Sequence, residues 1–183
     1  MNEVEAVKDL SKVPLISELL IKHHGQHFAD IWDLGINLAL RISDLLDVKF
    51  TDVEGTHLKL VEQKTKKSHT IKLNNKAKSI IERRHLESPE SVYLFQATAR
   101  NVKTIKPLTR QAVGQAFKAI GEIVGIDLST HSMRKTRGYH VYKKTNDIAQ
   151  VMKMLNHSSP KVTLRYIGID QEEQDTLSDE IIL

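Results

Sequence analysis

Leu155-Asn156-His157-Ser158-Ser159-Pro160-Lys161-Val162-Thr163-Leu164-Arg165-Tyr166 is the stretch on which the reading of this chain turns. Ser159-Pro160 is a cap followed by a first-turn proline, which predicts a helix over 161–167. Tyr166 falls near the end of that helix, nine residues after His157. A tyrosine on a helix is ordinarily half-buried with its hydroxyl satisfied. Its phenol, with a pKa of ~10, is ionised to about one part in a thousand at neutral pH. It becomes a useful nucleophile only beside cations or a base. Both kinds of neighbour exist upstream: His131-Ser132-Met133-Arg134, and Arg41 at the head of Arg41-Ile42-Ser43-Asp44-Leu45-Leu46. Tyr93, Tyr139 and Tyr142 lack such surroundings and read as ordinary packed tyrosines.

Working outward, apolar spacing of helical period recurs along most of the chain. Pro14 is expected at the first position of a helix carrying Leu15, Leu19 and Leu20. Phe28, Ile31, Trp32, Ile36, Leu38 and Ala39 give a second helix, and Ile42, Leu45 and Leu46 a short third one. Asp52-Val53-Glu54-Gly55 reads as a turn. Leu58–Glu62 and Thr70–Leu73 read as strands joined by the polar connection Gln63–His69, with 48–52 expected as a further strand. Helices resume over 75–85, over 110–124 behind the cap Thr109, over 131–144, and over 148–155 behind Asn146. The expected fold is mainly α with a small antiparallel β-sheet near its middle, an α+β domain over 14–169. A short N-terminal extension, 1–13, and an acidic tail, 170–183, flank it.

A chain of 183 residues, 40% hydrophobic, can build one domain with its own core. With no cysteine, disulfides, thiolate zinc sites and cysteine nucleophiles are excluded, and the cytoplasm is the expected compartment. No segment approaches the ~20 apolar residues of a membrane span, and the start Met1-Asn2-Glu3-Val4-Glu5 lacks the marks of a secretion signal. Net charge is only +4, but it is segregated. Lys59, Lys64, Lys66, Lys67, Lys72, Lys76, Lys78, Arg83 and Arg84 face only Glu62 and Glu82 over 59–84, whereas 170–183 holds six acids and no base. That separation suits a polyanionic partner, although a solvated basic surface would look the same.

His131 and Arg134, three apart, share a helix face. A guanidinium fork matches two phosphate oxygens, and an imidazole moves protons near neutrality. Arg41, between an apolar helix and an apolar turn, sits against the core with its head needing an anion. Asp44 or Asp47 would serve if its role is structural. Two arginines on one phosphorus would stabilise the charge that grows in the transition state. Expelling a 5′-oxygen needs a proton donor, for which Lys64, Lys66 and Lys67 compete on composition alone. Arg137, a turn beyond Arg134, meets either a DNA backbone or a carboxylate.

Taken in order, Leu38–Leu46, Thr130–Arg134 and Leu155–Ser159 with Tyr166 resemble the tyrosine recombinases, the phage integrase family, over about 14–168. The resemblance implies that the chain cleaves and rejoins DNA through a 3′-phosphotyrosyl link on Tyr166. Arg41 and Arg134 would hold the non-bridging oxygens, Lys64 would protonate the leaving 5′-oxygen, His131 would assist proton transfer, and His157 would hydrogen-bond the phosphate. Lys66, Lys67, Arg110, Lys135 and Arg137 are the further expected DNA contacts. No metal or other cofactor is required, because the phosphotyrosyl bond conserves the energy of the backbone bond. The implied partner is double-stranded DNA, bound by a homo-tetramer, with an accessory DNA-binding protein as a further expectation. With only about a dozen residues ahead of residue 14, the family's N-terminal clamp domain is expected to be absent, and Asp44 stands where many members have Glu. The tail 170–183, with Leu177, Ile181 and Ile182, would enter a neighbouring protomer or fold back on its own domain.

Three other readings compete. A type IB topoisomerase shares the tyrosine chemistry but relaxes DNA without exchange. A non-catalytic DNA-binding relic or accessory protein would use 146–166 like a helix-turn-helix. A metal hydrolase would use His23, His24 and His27, with two ligands on one helix face.

Overall fold

Helix-period apolar residues become eight helices packed around a three-stranded sheet in the computed structural model, which describes residues 4–97 and 104–169 together with 176, 180 and 182. Helices α1 (Lys12–His24) and α2 (Gln26–Leu38) pack against each other on either side of a break at Gly25, whose φ of 92° glycine adopts without strain. The break leaves His23 and His24 on α1 and His27 on α2, so the expected shared helix face does not exist. Pro14 is the third residue of α1, not the first; its missing N–H is harmless there because the first four are unpaired within any helix. Trp32 is fully buried on α2, edge-on to Phe117 at 5.5 Å, with its indole N–H donating to the Val13 carbonyl.

The expected α+β architecture is present. After α3 (Ile42–Leu46), the sheet runs β1 (Val53–Glu54), β2 (His57–Val61) and β3 (Ser68–Lys72), antiparallel in that order, with Leu58 opposite Ile71. The first strand is a correction: it forms where a turn is expected, and the expected strand 48–52 is something else. The Asp52 carboxylate accepts from the Lys49 N–H at 2.8 Å, which tightens Phe50–Asp52 into a 3-10 turn. The extended residues just before it pair with 92–94 instead, with the Leu94 N–H donating to the Val48 carbonyl.

Helices α4 (Asn75–Glu87), α5 (Arg110–Val124), α6 (Ser132–Thr145), α7 (Ile148–Leu155) and α8 (Pro160–Ile167) follow. Thr109 caps α5, and Ser159 with Pro160 opens α8, as expected. Asp147, not Asn146, caps α7; Asn146, at φ 51°, closes α6 in the left-handed conformation that Asn tolerates.

The core is split. Most buried apolar residues form one cluster spanning α1–α5 and the sheet, whereas Ala6, Ala39, Tyr139, Val151, Leu155, Ile167 and Ile169 form a second around α6–α8. Leu38 and Leu40 belong to the first and Ala39 to the second, so the chain crosses the seam immediately before Arg41. Two glycines let helices close within these clusters. A Cβ on Gly35 would overlap the Met133 thioether, and one on Gly138 would come within 2.7 Å of Ile167 Cγ2. Residues 6 and 7 of the expected N-terminal extension are buried. The expected tail, 170–183, lies outside the described residues apart from three of its positions.

Candidate active site

At the seam lies a cavity of about 410 Å³, lined by Arg41, Lys64, His131, Arg134, His157 and Tyr166 together with Thr65, Asn156 and three residues of the α7–α8 connection and first turn of α8. Six side chains from four separate segments are thus gathered on one concavity. Arg41 comes from the turn after α2, Lys64 from the β2–β3 connection, His131 and Arg134 from the start of α6, and His157 and Tyr166 from the α7–α8 unit.

Arg134 is 2% exposed and ties the segments together. Its Nη1 donates to the Ala39 carbonyl at 2.5 Å, and its Nη2 to the Leu155 carbonyl. Each carbonyl sits at a helix C-terminus where backbone acceptors have no partner within the helix. Ala39 and Asn156, which end those helices, are both left-handed, with φ of 54° and 51°. One guanidinium therefore fixes the turn that presents Arg41 and the turn that presents His157.

Arg41 finds an anion that its neighbourhood in sequence does not supply. Its Nη1 lies 3.1 Å from Glu62 Oε2 and 3.9 Å from Asp44 Oδ2, so the acid partner is principally Glu62 rather than the expected Asp44 or Asp47. The same Glu62 oxygen accepts from Thr65 Oγ1 at 2.6 Å and from Asn156 Nδ2 at 2.8 Å. Burial pushes the Glu62 carboxyl up, but those two hydrogen bonds and the Arg41 charge outweigh it and leave its pKa at about 2. Asp44 Oδ1 accepts from the Gln63 N–H at 2.9 Å and anchors the turn that carries Lys64. Glu62, which does not itself line the cavity, is a charge partner of Arg41 that the motifs do not mark. Its signal is the period of β2: Leu58, Leu60 and Glu62 share one face, and that face is the covered one.

His157 Nδ1 lies 3.2 Å from Thr163 Oγ1, whose own proton goes to the Ser159 carbonyl at 2.7 Å. The network thus assigns the proton to Nδ1 and leaves Nε2 as the acceptor in the neutral ring. The ring packs edge-on to Tyr166, with centroids 5.1 Å apart. Desolvation, then the charges of Arg134 and Arg41, hold His157 below its ordinary pKa. His131 is lowered likewise, by desolvation and then by Lys135, Arg134, Arg110 and Arg41. Burial raises the Tyr166 phenol, and the Arg134 and Arg41 charges oppose that without reversing it. At neutral pH the cavity therefore holds two neutral imidazoles, which can take up protons, and a protonated phenol.

The other expected contacts scatter. Lys66, left-handed at φ 57°, and Lys67 are exposed in the β2–β3 connection. Exposed Arg110, at the start of α5, lines an adjoining cavity of about 450 Å³ with Arg41, Lys64 and His131. Arg137 is half-buried, and its Nε meets no acceptor. Lys135 is buried, not presented at a surface: its Nζ donates to the Val4 carbonyl at 2.6 Å.

A mainly helical domain with this small sheet and a tyrosine-bearing cationic cavity has the fold of tyrosine recombinase catalytic domains. It superposes on a crystal structure of XerA recombinase with a TM-score of 0.73 at 14% identity, covering 100% of this chain and 66% of that one. A lambda integrase dimer bound to a COC′ core site gives 0.70 at 17% identity, covering 93% and 62%. The chain belongs to the phage integrase family, whose model matches residues 16–173. It is 38% identical over 175 residues to the probable integrase/recombinase YoeC of Bacillus subtilis, covering 94% of this chain and 93% of that protein. It is 26% identical to tyrosine recombinase XerC of Caldanaerobacter subterraneus subsp. tengcongensis, of which it spans 40%. Among the described residues no helix is long and apolar enough to cross a membrane.

Proposed function

We propose that this chain cleaves and rejoins double-stranded DNA as a site-specific recombinase, with Tyr166 as nucleophile and several copies assembled on the DNA. The observation that carries the reading is the single cavity onto which Arg41, Lys64, His131, Arg134, His157 and Tyr166 converge. The phenol oxygen attacks a backbone phosphorus and forms a 3′-phosphotyrosyl ester as the bond from phosphorus to O5′ breaks. His131, neutral before reaction, takes the phenol proton, and Lys64 gives one to the departing O5′. Arg41 and Arg134 hold the non-bridging oxygens, where charge accumulates. A bound phosphate would raise the pKa of His157, so that a protonated Nε2 donates to it. A 5′-hydroxyl from another strand then reverses the attack and releases the tyrosine.

The test is a library of nicked duplexes from which the cleaved 5′ end diffuses away, probed under denaturing conditions for protein-linked DNA. The expected result is a covalent adduct with the wild type and none with Tyr166→Phe. Duplex binding with no adduct from either protein overturns the catalytic reading and leaves a non-catalytic DNA-binding protein of the same fold.

A further inference from the structure

Behind Tyr166 lies a second cavity, about 150 Å³, lined by Val4, Glu5, Ala6, Lys8, Lys135, Arg165, Tyr166 and Gly168. Tyr166 is the one residue that lines both this cavity and the cationic one, so its ring is a wall between them. On the far side, residues 4–8 run across α6 and the end of α8 as a strap. The Val7 N–H donates to Thr136 Oγ1 at 2.9 Å, and the Val7 carbonyl lies 2.9 Å from His140 Nε2. Val7 is fully buried, and Ala6 packs in the same cluster as Ile167, which follows the tyrosine. The Val4 carbonyl holds Lys135 Nζ at 2.6 Å, and that ammonium stands 5.1 Å from the centre of the Tyr166 ring.

We propose that Lys135 is a positioning residue for Tyr166: the docked strap holds its ammonium against the ring, which orients the phenol and favours the negative charge it gains on losing its proton. The proposal rests on the reading of Tyr166 as nucleophile. Lys135 exchanges no proton in it, and the chemical step is the one given above. A cation over an aromatic face is attracted by the ring's electron density, the more so when water is excluded, and Lys135 is only 8% exposed. The attraction grows as the oxygen becomes anionic, so the contact is stronger in the transition state than before it. The other charged or titratable groups lining the two cavities that share the ring are Arg41, Lys64, His131, Arg134 and His157 on one side and Glu5, Lys8 and Arg165 on the other. Arg134 already opposes the rise in phenol pKa that burial causes, and Lys135 adds a charge from the strap side. Nothing in the motif His131-Ser132-Met133-Arg134 marks its next residue for this task; the fold does, by laying the strap beside it.

The test compares Lys135→Met, Lys135→Arg and Val7→Asp, the last of which undocks the strap and leaves both cavity linings intact in sequence. Two readouts are taken: the rate of adduct formation on the captured duplex, and the titration of Tyr166 followed by its ζ-carbon shift in tyrosine-labelled protein, assigned with Tyr166→Phe. The expected result is an adduct rate about 5- to 30-fold lower in Lys135→Met, the range a desolvated cation–π contact supports. The Tyr166 titration moves to higher pH, and Lys135→Arg restores both readouts most of the way. Val7→Asp gives a similar loss, and the double variant loses no more than either single one. An unchanged titration in Lys135→Met overturns the proposal, whatever the rate does, as does a multiplicative loss in the double variant. If the wild type yields no adduct but the titration shifts as stated, the placement of Lys135 stands and the catalytic reading falls.

Discussion

Among the described residues arginine meets buried carboxylate at two places, and the two are built to opposite ends. Near the start of α2, Asp30 accepts from Arg83 at 2.5 Å, from Arg84 at 3.0 Å and from Gln26 at 2.9 Å. Arg84 gives a further bond to the Leu94 carbonyl at 2.7 Å and lies 4.7 Å from the centre of the Phe95 ring. Every buried polar atom of that cluster is used. Beyond the other end of α2, Arg41 Nη1, Asp44 Oδ2, Glu62 Oε1 and His69 Nδ1 are buried without a hydrogen-bond partner of good geometry. Leaving such groups unsatisfied costs stability, so a cluster serving only the fold closes its bonds, as Asp30 does. In the second cluster the carboxylate oxygens instead face cations at longer range, Asp44 Oδ2 at 3.9 Å from Arg41 Nη1 and Glu62 Oε1 at 3.7 Å from His69 Nδ1, and Arg41 is the member that also lines the cavity. Both lie against the same helix, so neither local sequence nor burial separates them; the count of unmet donors and acceptors does.

The widest separation between the two clusters comes from Arg41→Ala. Adduct formation is expected to fall about a thousandfold or more, the value of a well-placed arginine in phosphoryl transfer, equivalent to about 4 kcal/mol of barrier. Some loss of thermal stability should accompany it, because Glu62 and Asp44 lose their arginine, although Glu62 keeps its bonds from Thr65 and Asn156. A large loss of stability with the adduct rate preserved would make Arg41 a structural residue and erase the contrast.

Arg84→Met is the mirror experiment. It removes one arginine from Asp30 and leaves a buried carboxylate short of a partner, which costs about 3–4 kcal/mol. Denaturant unfolding should show that loss, and the adduct rate per folded molecule should be unchanged. A fall in rate per folded molecule would mean that the structural cluster reaches the cavity through α2.

How much of this contrast can be read from residue order differs by level. Thr109 before an apolar-faced run, and Ser159-Pro160 before the tyrosine, mark α5 and α8 because a cap and its helix are adjacent in sequence. The α+β class follows from the change of period after Asp52. The convergence of six side chains is expected only through family likeness, since nothing local says that residues 41 and 134 share a cavity. What stays hidden is who stands beside each charge. Glu62 meets Asn156 across 94 positions, and Lys135 meets Val4 across 131. Those partners are chosen by how helices pack, through Gly35 against Met133 and Gly138 against Ile167. The misplaced first strand has a local cause instead: the Asp52 carboxylate, three residues on, accepts from the Lys49 N–H and makes a turn of residues whose apolar pattern also fits a strand.

The smallest expected effect separates the clusters by pH. Folding takes Glu62 from an ordinary carboxyl near 4.5 to about 2. A depressed carboxylate stabilises the fold fully above its unfolded pKa, and that contribution is lost as pH falls through the folded one. The window is therefore pH 4.5 down to 2, and the full loss is about 3 kcal/mol. Glu62→Gln keeps an oxygen for Thr65 and Asn156 but carries no titrating proton, so its stability should fall less steeply across that window. Urea midpoints at pH 6, 4 and 3 for both proteins measure the difference. Parallel curves would place the acid sensitivity elsewhere and would mean that Arg41 does not depend on Glu62 for its charge balance. If the curves converge toward low pH, the open cluster is held by one carboxylate, which neutralises part of Arg41 while leaving its remaining donors to face a phosphate.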